Sequence, residues 1–146
     1  MKVSTKGRYG LRALVDMAAN SQERPISLIQ TAKRQNISLN YLEQVFGILR
    51  KAGIVASVKG AGGGYKLARS AGSITVKEIL EALEGEFSII DKNGEEDQDA
   101  VQRAIQELVW DEIDRQVNEL LGQRTLEQLV TEYKENLDYS SNMYYI

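Results

Sequence analysis

Residues 38–69 read SLNYLEQVFGILRKAGIVASVKGAGGGYKLAR. Leu42, Val45, Phe46 and Leu49 recur at three- and four-residue spacing, so they share one face of a helix. Ser38 is placed to cap its start through an orphan backbone N–H. Ala52-Gly53 closes it, the glycine being free to take a left-handed conformation. A β-branched run, Ile54-Val55 to Val58, predicts a strand. Lys59 to Gly64 makes a glycine-rich tip, and Tyr65-Lys66-Leu67 reads as the return strand.

Helix, strand, basic tip and strand is the order of a recognition helix followed by a wing. The polar residues left on the helix are Asn40, Tyr41, Glu43, Gln44, Arg50 and Lys51. Asn40, Tyr41 and Gln44 fall in its first two turns, the part that enters a major groove. Asn and Gln amides can pair with an adenine edge through both their groups. Lys59 suits a phosphate or a minor groove. The bland reading is a solvated helix face next to an ordinary hairpin.

Working outward, residues 27–30 (Ser-Leu-Ile-Gln) form a capping box that opens a short helix to about Gln35. Asn36-Ile37 is the turn into the Ser38 helix, which completes a helix-turn-helix. Pro25-Ile26 breaks the chain before it and adds a short strand. Residues 3–20 predict a first helix with Leu11, Leu14, Val15 and Ala18 inward and Lys6, Arg8 and Arg12 on a basic edge. After the wing, Thr75 to Glu78 is a second capping box, and Gly85 stops its helix. Residues 86–99 are acid-rich, contain Asn93-Gly94, and predict a mobile loop. A long helix follows over about 98–121, with Ile105, Val109, Ile113 and Val117 on its apolar stripe. Thr125 to Gln128 is a third capping box, opening a last helix that buries Leu126, Leu129, Val130 and Tyr133. Residues 138–142 read as a polar spacer before Met143-Tyr144-Tyr145-Ile146.

Charge divides the same way. Residues 1–69 hold twelve Lys/Arg against three Asp/Glu, a balance of +9. Residues 70–146 hold six against eighteen, a balance of −12. A basic half joined to an acidic half predicts a polyanion-binding head on a separate scaffold. The stripe on the long helix exceeds what its short neighbours need, so it is read as a homodimer interface made by Ile105, Val109, Ile113 and Val117. A two-fold dimer would present two recognition helices to a two-fold DNA site.

Several classes fall away. The chain has no Cys and no His, which removes thiolate nucleophiles, disulfides and His-based triads. The glycine run is not a phosphate-binding loop, because Lys66 precedes Leu67 and a strand, not Ser/Thr and a helix. No pair of carboxylates stands out for acid–base work. The reading is of no enzyme, no catalytic residue, no metal ligand and no cofactor. No apolar run is long enough to span a membrane, and no signal peptide is evident, so a cytoplasmic protein is expected.

Four segments, VSTKGRYGLRALVDMA (3–18), ISLNYLEQVFGILRKAGIV (37–55), SVKGAGGGYKLAR (57–69) and ITVKEILEALEG (74–85), resemble the Rrf-two family of bacterial winged-helix repressors in order and spacing. The helix at 98–121 resembles that family's dimerisation helix by shape more than by residue. The resemblance implies a mainly α fold with a small β-wing, made of a winged helix-turn-helix head (1–85), dimerisation and effector helices (86–138) and a C-terminal tail (139–146). It implies a dimeric DNA-binding transcription factor whose recognition helix matches Ser38 to Lys51 and whose wing matches Val58 to Tyr65; together with the clustering of polar residues there, DNA contacts are expected from Arg8, Ser38, Asn40, Tyr41, Gln44, Arg50, Lys51 and Lys59. Cluster-binding members carry three cysteines between the Thr75 helix and the dimerisation helix; here residues 87–98 have none. That departure points to the cluster-free, cysteine-metabolism branch, whose C-terminus the ending of this chain resembles. In that branch the partner is cysteine synthase, which Tyr144, Tyr145 and Ile146 would engage. The alternatives are a family repressor sensing another small molecule or a redox signal, and a protein–protein adaptor acting through the acidic half.

Overall fold

The computed structural model describes residues 2–21, 24–90 and 99–143. Three helices come first: α1 (Thr5–Asn20), α2 (Leu28–Gln35) and α3 (Leu39–Lys51). The strands β1 (Val55–Val58) and β2 (Gly64–Leu67) pair antiparallel, with Val55 opposite Leu67 and Val58 opposite Gly64. After a 3-10 turn (Ala71–Ser73) come α4 (Val76–Glu84), α5 (Ala100–Ile105), a π-helical turn (Gln106–Trp110), α6 (Asp111–Gln123) and α7 (Leu126–Met143). Mainly α with a small β-wing is thus the observed fold. No helix among the described residues is long and apolar enough to cross a membrane.

Local chemistry explains most of these boundaries. The Ser38 hydroxyl accepts from Tyr41 N–H and starts α3. Asn36 takes the left-handed conformation (φ 54°), ends α2, and turns the chain into α3. Ser27 caps α2 through Ile29 N–H. Thr75 with Glu78 and Thr125 with Gln128 form reciprocal capping boxes. Asp99 with Gln102 forms a further one, not expected from the sequence, at the start of α5. Gly53 follows α3 at φ 76°. At Gly64 (φ 155°) a Cβ would lie 2.3 Å from the Ile26 carbonyl oxygen. Its absence lets Ile26 pair with Tyr65 along the second edge of β2, at 2.8 and 2.9 Å.

The core sits between α1, α3, α4 and the wing. Leu14, Met17, Leu42, Phe46, Leu49, Ile74, Ile79 and Leu126 are fully buried in it. On α1 the inward face runs Gly7, Gly10, Ala13, Leu14 and Met17, while Leu11, Val15 and Ala18 pack beside it half-buried. The sequence stripe was rotated because glycine and alanine at 7, 10 and 13 carry little hydropathy, yet let neighbouring elements approach closely. The Glu84 carboxylate at the end of α4 caps α1, accepting from the N–H groups of Ser4 and Gly7 at 2.9 Å each and from the Ser4 hydroxyl.

The C-terminal half returns to this core. Val76 N–H donates to Arg124 C=O and Leu126 N–H to Ile74 C=O, both at 2.9 Å, so the α6–α7 link pairs with the start of α4. From there α7 runs along α1.

Three expectations are corrected. The long helix is helical from 100 to 123 but is interrupted by the π turn, where Asp111 N–H reaches back to Gln106 C=O. The acid-rich segment does not begin as a free loop. Ile89 N–H and the Ser88 hydroxyl donate to Asp114 on α6 at 2.7 and 2.9 Å, and Asn118 donates to Phe87 C=O at 3.4 Å. Residues 91–98 lie outside the described residues. The spacer expected over 138–142 is helix, because α7 contains no Gly or Pro before Met143 to stop it.

Candidate nucleic-acid interface

The arrangement of α3 follows from its two faces. Leu42, Val45, Phe46 and Leu49 are buried, at no more than 1% exposed. That seals one side and turns Asn40, Gln44, Arg50 and Lys51 to solvent. Asn40 and Gln44 stand one turn apart on the same face, next to the capped N-terminus. The N–H groups of that terminus and its dipole favour a negative partner. Arg50 and Lys51 sit at the other end of α3, about 15 Å from Asn40 at 1.5 Å per residue.

Tyr41 differs from its neighbours. It is half-buried and packs on the core. Its ring meets Tyr9 of α1 edge-on, with centroids 6.3 Å apart at 85°. The Arg8 guanidinium lies 5.9 Å from the Tyr9 ring. The structure therefore brings Arg8 to the N-terminal end of α3 through an aromatic pair. Tyr9 was missed by the sequence reading, and no local signal marks it, because Tyr41 is far along the chain. Lys59 is exposed where the chain leaves β1 for the wing tip. Ser38 is occupied as the cap of α3.

A second missed feature fixes α2 against α1. Asp16 is only 1% exposed, and its carboxylate takes Arg34 at 2.7 to 3.1 Å and Gln35 Nε2 at 2.7 Å. The hydrogen bond to Asp16 raises the Arg34 guanidinium above its ordinary pKa. Gln35 in turn accepts from Arg12 Nε at 2.6 Å. Apolar periodicity could not find this network, since it joins polar residues 18 or more positions apart.

The structure divides the expected dimerisation residues. Ile105 and Val109 are exposed, at 41 and 40%, together with Val101 at 67% and Leu108 at 79%. Ile113 and Val117 are half-buried, on the helix that packs on α4. The π turn over Gln106–Trp110, which contains Val109, adds a residue to the turn and so rotates the helix before it against the helix after it. Tyr144, Tyr145 and Ile146 lie outside the described residues.

A family model described as Rrf2, iron-dependent transcriptional regulator, matches residues 3–132. The HTH-type transcriptional regulator IscR of Xenorhabdus nematophila is 41% identical over 130 residues, covering 89% of this chain and 79% of that protein. A solved structure of CymR (YrzC), described as the global cysteine regulator of B. subtilis, matches with a TM-score of 0.79 at 41% identity, over 90% of this chain and 98% of that one. The structure of T. potens IscR matches with a TM-score of 0.75 at 38% identity, over 93% of this chain and 90% of that one. These relatives are named as regulators and not as enzymes.

The expectation of no cofactor, drawn from the missing Cys and His, does not stand. The matched family is described as iron-dependent, and relatives of this chain carry the name IscR. The donor set bounds how such a group could be held by this chain. With no Cys and no His, thiolate and imidazole ligation have no residue. No group of three or more Asp/Glu among the described residues is placed to hold a metal ion. A thiolate-ligated cluster does not fit these residues.

Proposed function

The chain belongs to the Rrf2 family of transcriptional regulators, and from that premise we propose that it is a cytoplasmic, homodimeric, sequence-specific DNA-binding repressor of cysteine or sulfur metabolism. The observation that carries the DNA reading is α3. One face is sealed in the core, and the other offers Asn40 and Gln44 one turn apart beside a capped N-terminus. Asn40, Tyr41 and Gln44 read base edges, Tyr41 with its ring braced by Tyr9. Arg8, Arg50, Lys51 and Lys59 serve phosphates or the minor groove, and Ser38, the cap of α3, lies at the DNA-binding end of that helix. Residues 1–85 act as the DNA-binding head, 86–138 as the dimerisation and effector part, and 139–146 as the tail. The exposed Val101, Ile105, Leu108 and Val109 favour a second copy as the partner of α5 and the π turn. The match to a structure described as a cysteine regulator supports the regulon. Cysteine synthase, engaged by Tyr144, Tyr145 and Ile146, is the protein partner in this reading.

Two measurements test this. Operator affinity at several salt concentrations should fall steeply, with a log–log slope of roughly 0.9 per phosphate contact. Promoters recovered with the protein from its own cells should belong to sulfur and cysteine genes. A flat salt response would favour the adaptor reading. A second reading, a repressor answering to iron or to a redox signal, is favoured by the IscR relatives and the family description. Recovery of iron-responsive promoters alone would select it. For the tail, calorimetry with cysteine synthase should show binding that deletion of Ile146 abolishes.

A further inference from the structure

A cleft of about 380 Å³ opens between α1 and α7, within the range of small-molecule sites. Arg8, Leu11, Arg12 and Val15 lie on one face of α1 at helical spacing, and Leu129 and Tyr133 stand one turn apart on α7 opposite them. Leu11, Val15 and Leu129 make an apolar floor. The two arginines give one wall a positive charge. Asp16 at the end of the cleft does not cancel that charge, because its carboxylate is already taken by Arg34 and Gln35. Arg12 is oriented by its Nε bond to Gln35. Among the described residues no acceptor is bonded to its terminal nitrogens, and none to the Arg8 guanidinium.

We propose that this cleft is an effector site for a small organic carboxylate with an apolar body, held by Arg12 and Arg8 over Leu11, Val15 and Leu129. A guanidinium presents parallel N–H donors that match a carboxylate bidentately. The apolar floor selects against bare inorganic anions, which would leave it wet. Tyr133 provides a ring beside which an aromatic body lies flat. Occupancy bears on DNA through Arg8. Its guanidinium rests on Tyr9, and Tyr9 meets Tyr41 at the start of α3. An anion that draws Arg8 into the cleft removes it from the DNA side, so ligand and operator compete. This coupling rests on the DNA-binding reading above; binding of the carboxylate does not.

The test uses the intact chain and phenylacetate as probe, followed by calorimetry at fixed ionic strength. Neutral 2-phenylethanol and inorganic phosphate are the comparison ligands. Phenylacetate should bind saturably, and roughly tenfold or more tighter than either. Arg12→Gln should weaken it by a similar factor, and Leu129→Trp, which fills the floor, should abolish binding with the unfolding temperature retained. Saturating phenylacetate should lower operator affinity of the wild-type protein. Absence of saturable binding overturns the site, including the case in which a second subunit covers the cleft. So does equal binding of the alcohol, or indifference to both variants. Binding that leaves operator affinity unchanged overturns the coupling, while failure to bind any DNA leaves the calorimetric result standing and indicts the DNA reading instead.

Discussion

In α3, apolar residues at helical spacing are sealed: Leu42, Val45, Phe46 and Leu49 are at most 1% exposed. In α5 and the π turn, residues of the same kind at similar spacing are open: Val101, Ile105, Leu108 and Val109 are 40 to 79% exposed. Hydropathy and period are alike in the two stretches. What differs is the neighbourhood. Around α3 the chain supplies α1, α4 and β1 within reach. Around α5, among the described residues, the packing is onto the π turn, while α6 beyond it packs on α4. An amphipathic stripe states that something apolar will cover it. It does not state whether the cover comes from the same chain.

The largest expected effect breaks the sealed side. Phe46→Ala should cost about 3–5 kcal/mol of folding stability, since it opens a cavity among fully buried neighbours. Urea unfolding followed by circular dichroism measures this. A cost under about 1 kcal/mol would mean that the head core is not packed as described.

The open side should respond in assembly rather than folding. Ile105→Asp should weaken self-association by about 2–4 kcal/mol, read as a shift to monomer by sedimentation, with the head unfolding unchanged. Ile113→Asp should lower association and monomer stability together, because Ile113 is half-buried beside α4. Equal behaviour of the two variants would remove the division that the π turn makes.

On the outer face of α3, Gln44→Ala should cost about 1–3 kcal/mol on the operator and relax preference at one base pair. Lys59→Ala should weaken specific and random DNA alike and reduce the salt slope by about one. Unaltered sequence preference after Gln44→Ala would withdraw that residue from base readout.

The smallest effect concerns pH. The Thr75 backbone N–H, and after it Arg69, hold the Glu78 carboxyl below its ordinary value of 4.5. A carboxylate depressed in the folded state contributes stability that is present above the unfolded pKa and is lost as pH falls through the folded one. Stability should therefore decline as acid takes the pH below 4.5, and Glu78→Gln should flatten that decline. Glu78 is 42% exposed, so solvent screening keeps the contribution under about 1 kcal/mol.

Much of the head was legible in order. Ser38, Asn36 and Gly53 announce the turn and the helix through their own backbone preferences, and residues 54–67 announce the wing through β-branching and glycine. Those are short-range effects, carried within a few residues of the chain. The face of α3 that meets solvent followed from the same spacing. The Tyr9–Tyr41 contact, the Asp16–Arg34 pair and the Glu84 cap on α1 did not, since each joins polar or aromatic side chains from distant segments.

By itself the sequence determined the helix-turn-helix and wing of the head, which end of the molecule is basic, and which residue types are missing as ligands. Those properties belong to single residues and near neighbours. Only the tertiary structure decided that a π turn divides the apolar stripe of 105–117 and that α7 returns to the head through Leu126. It also decided that a basic cleft opens between α1 and α7. Each depends on which distant surfaces meet, and that is set by packing of the whole chain, where the free energy of one contact is conditional on all the others.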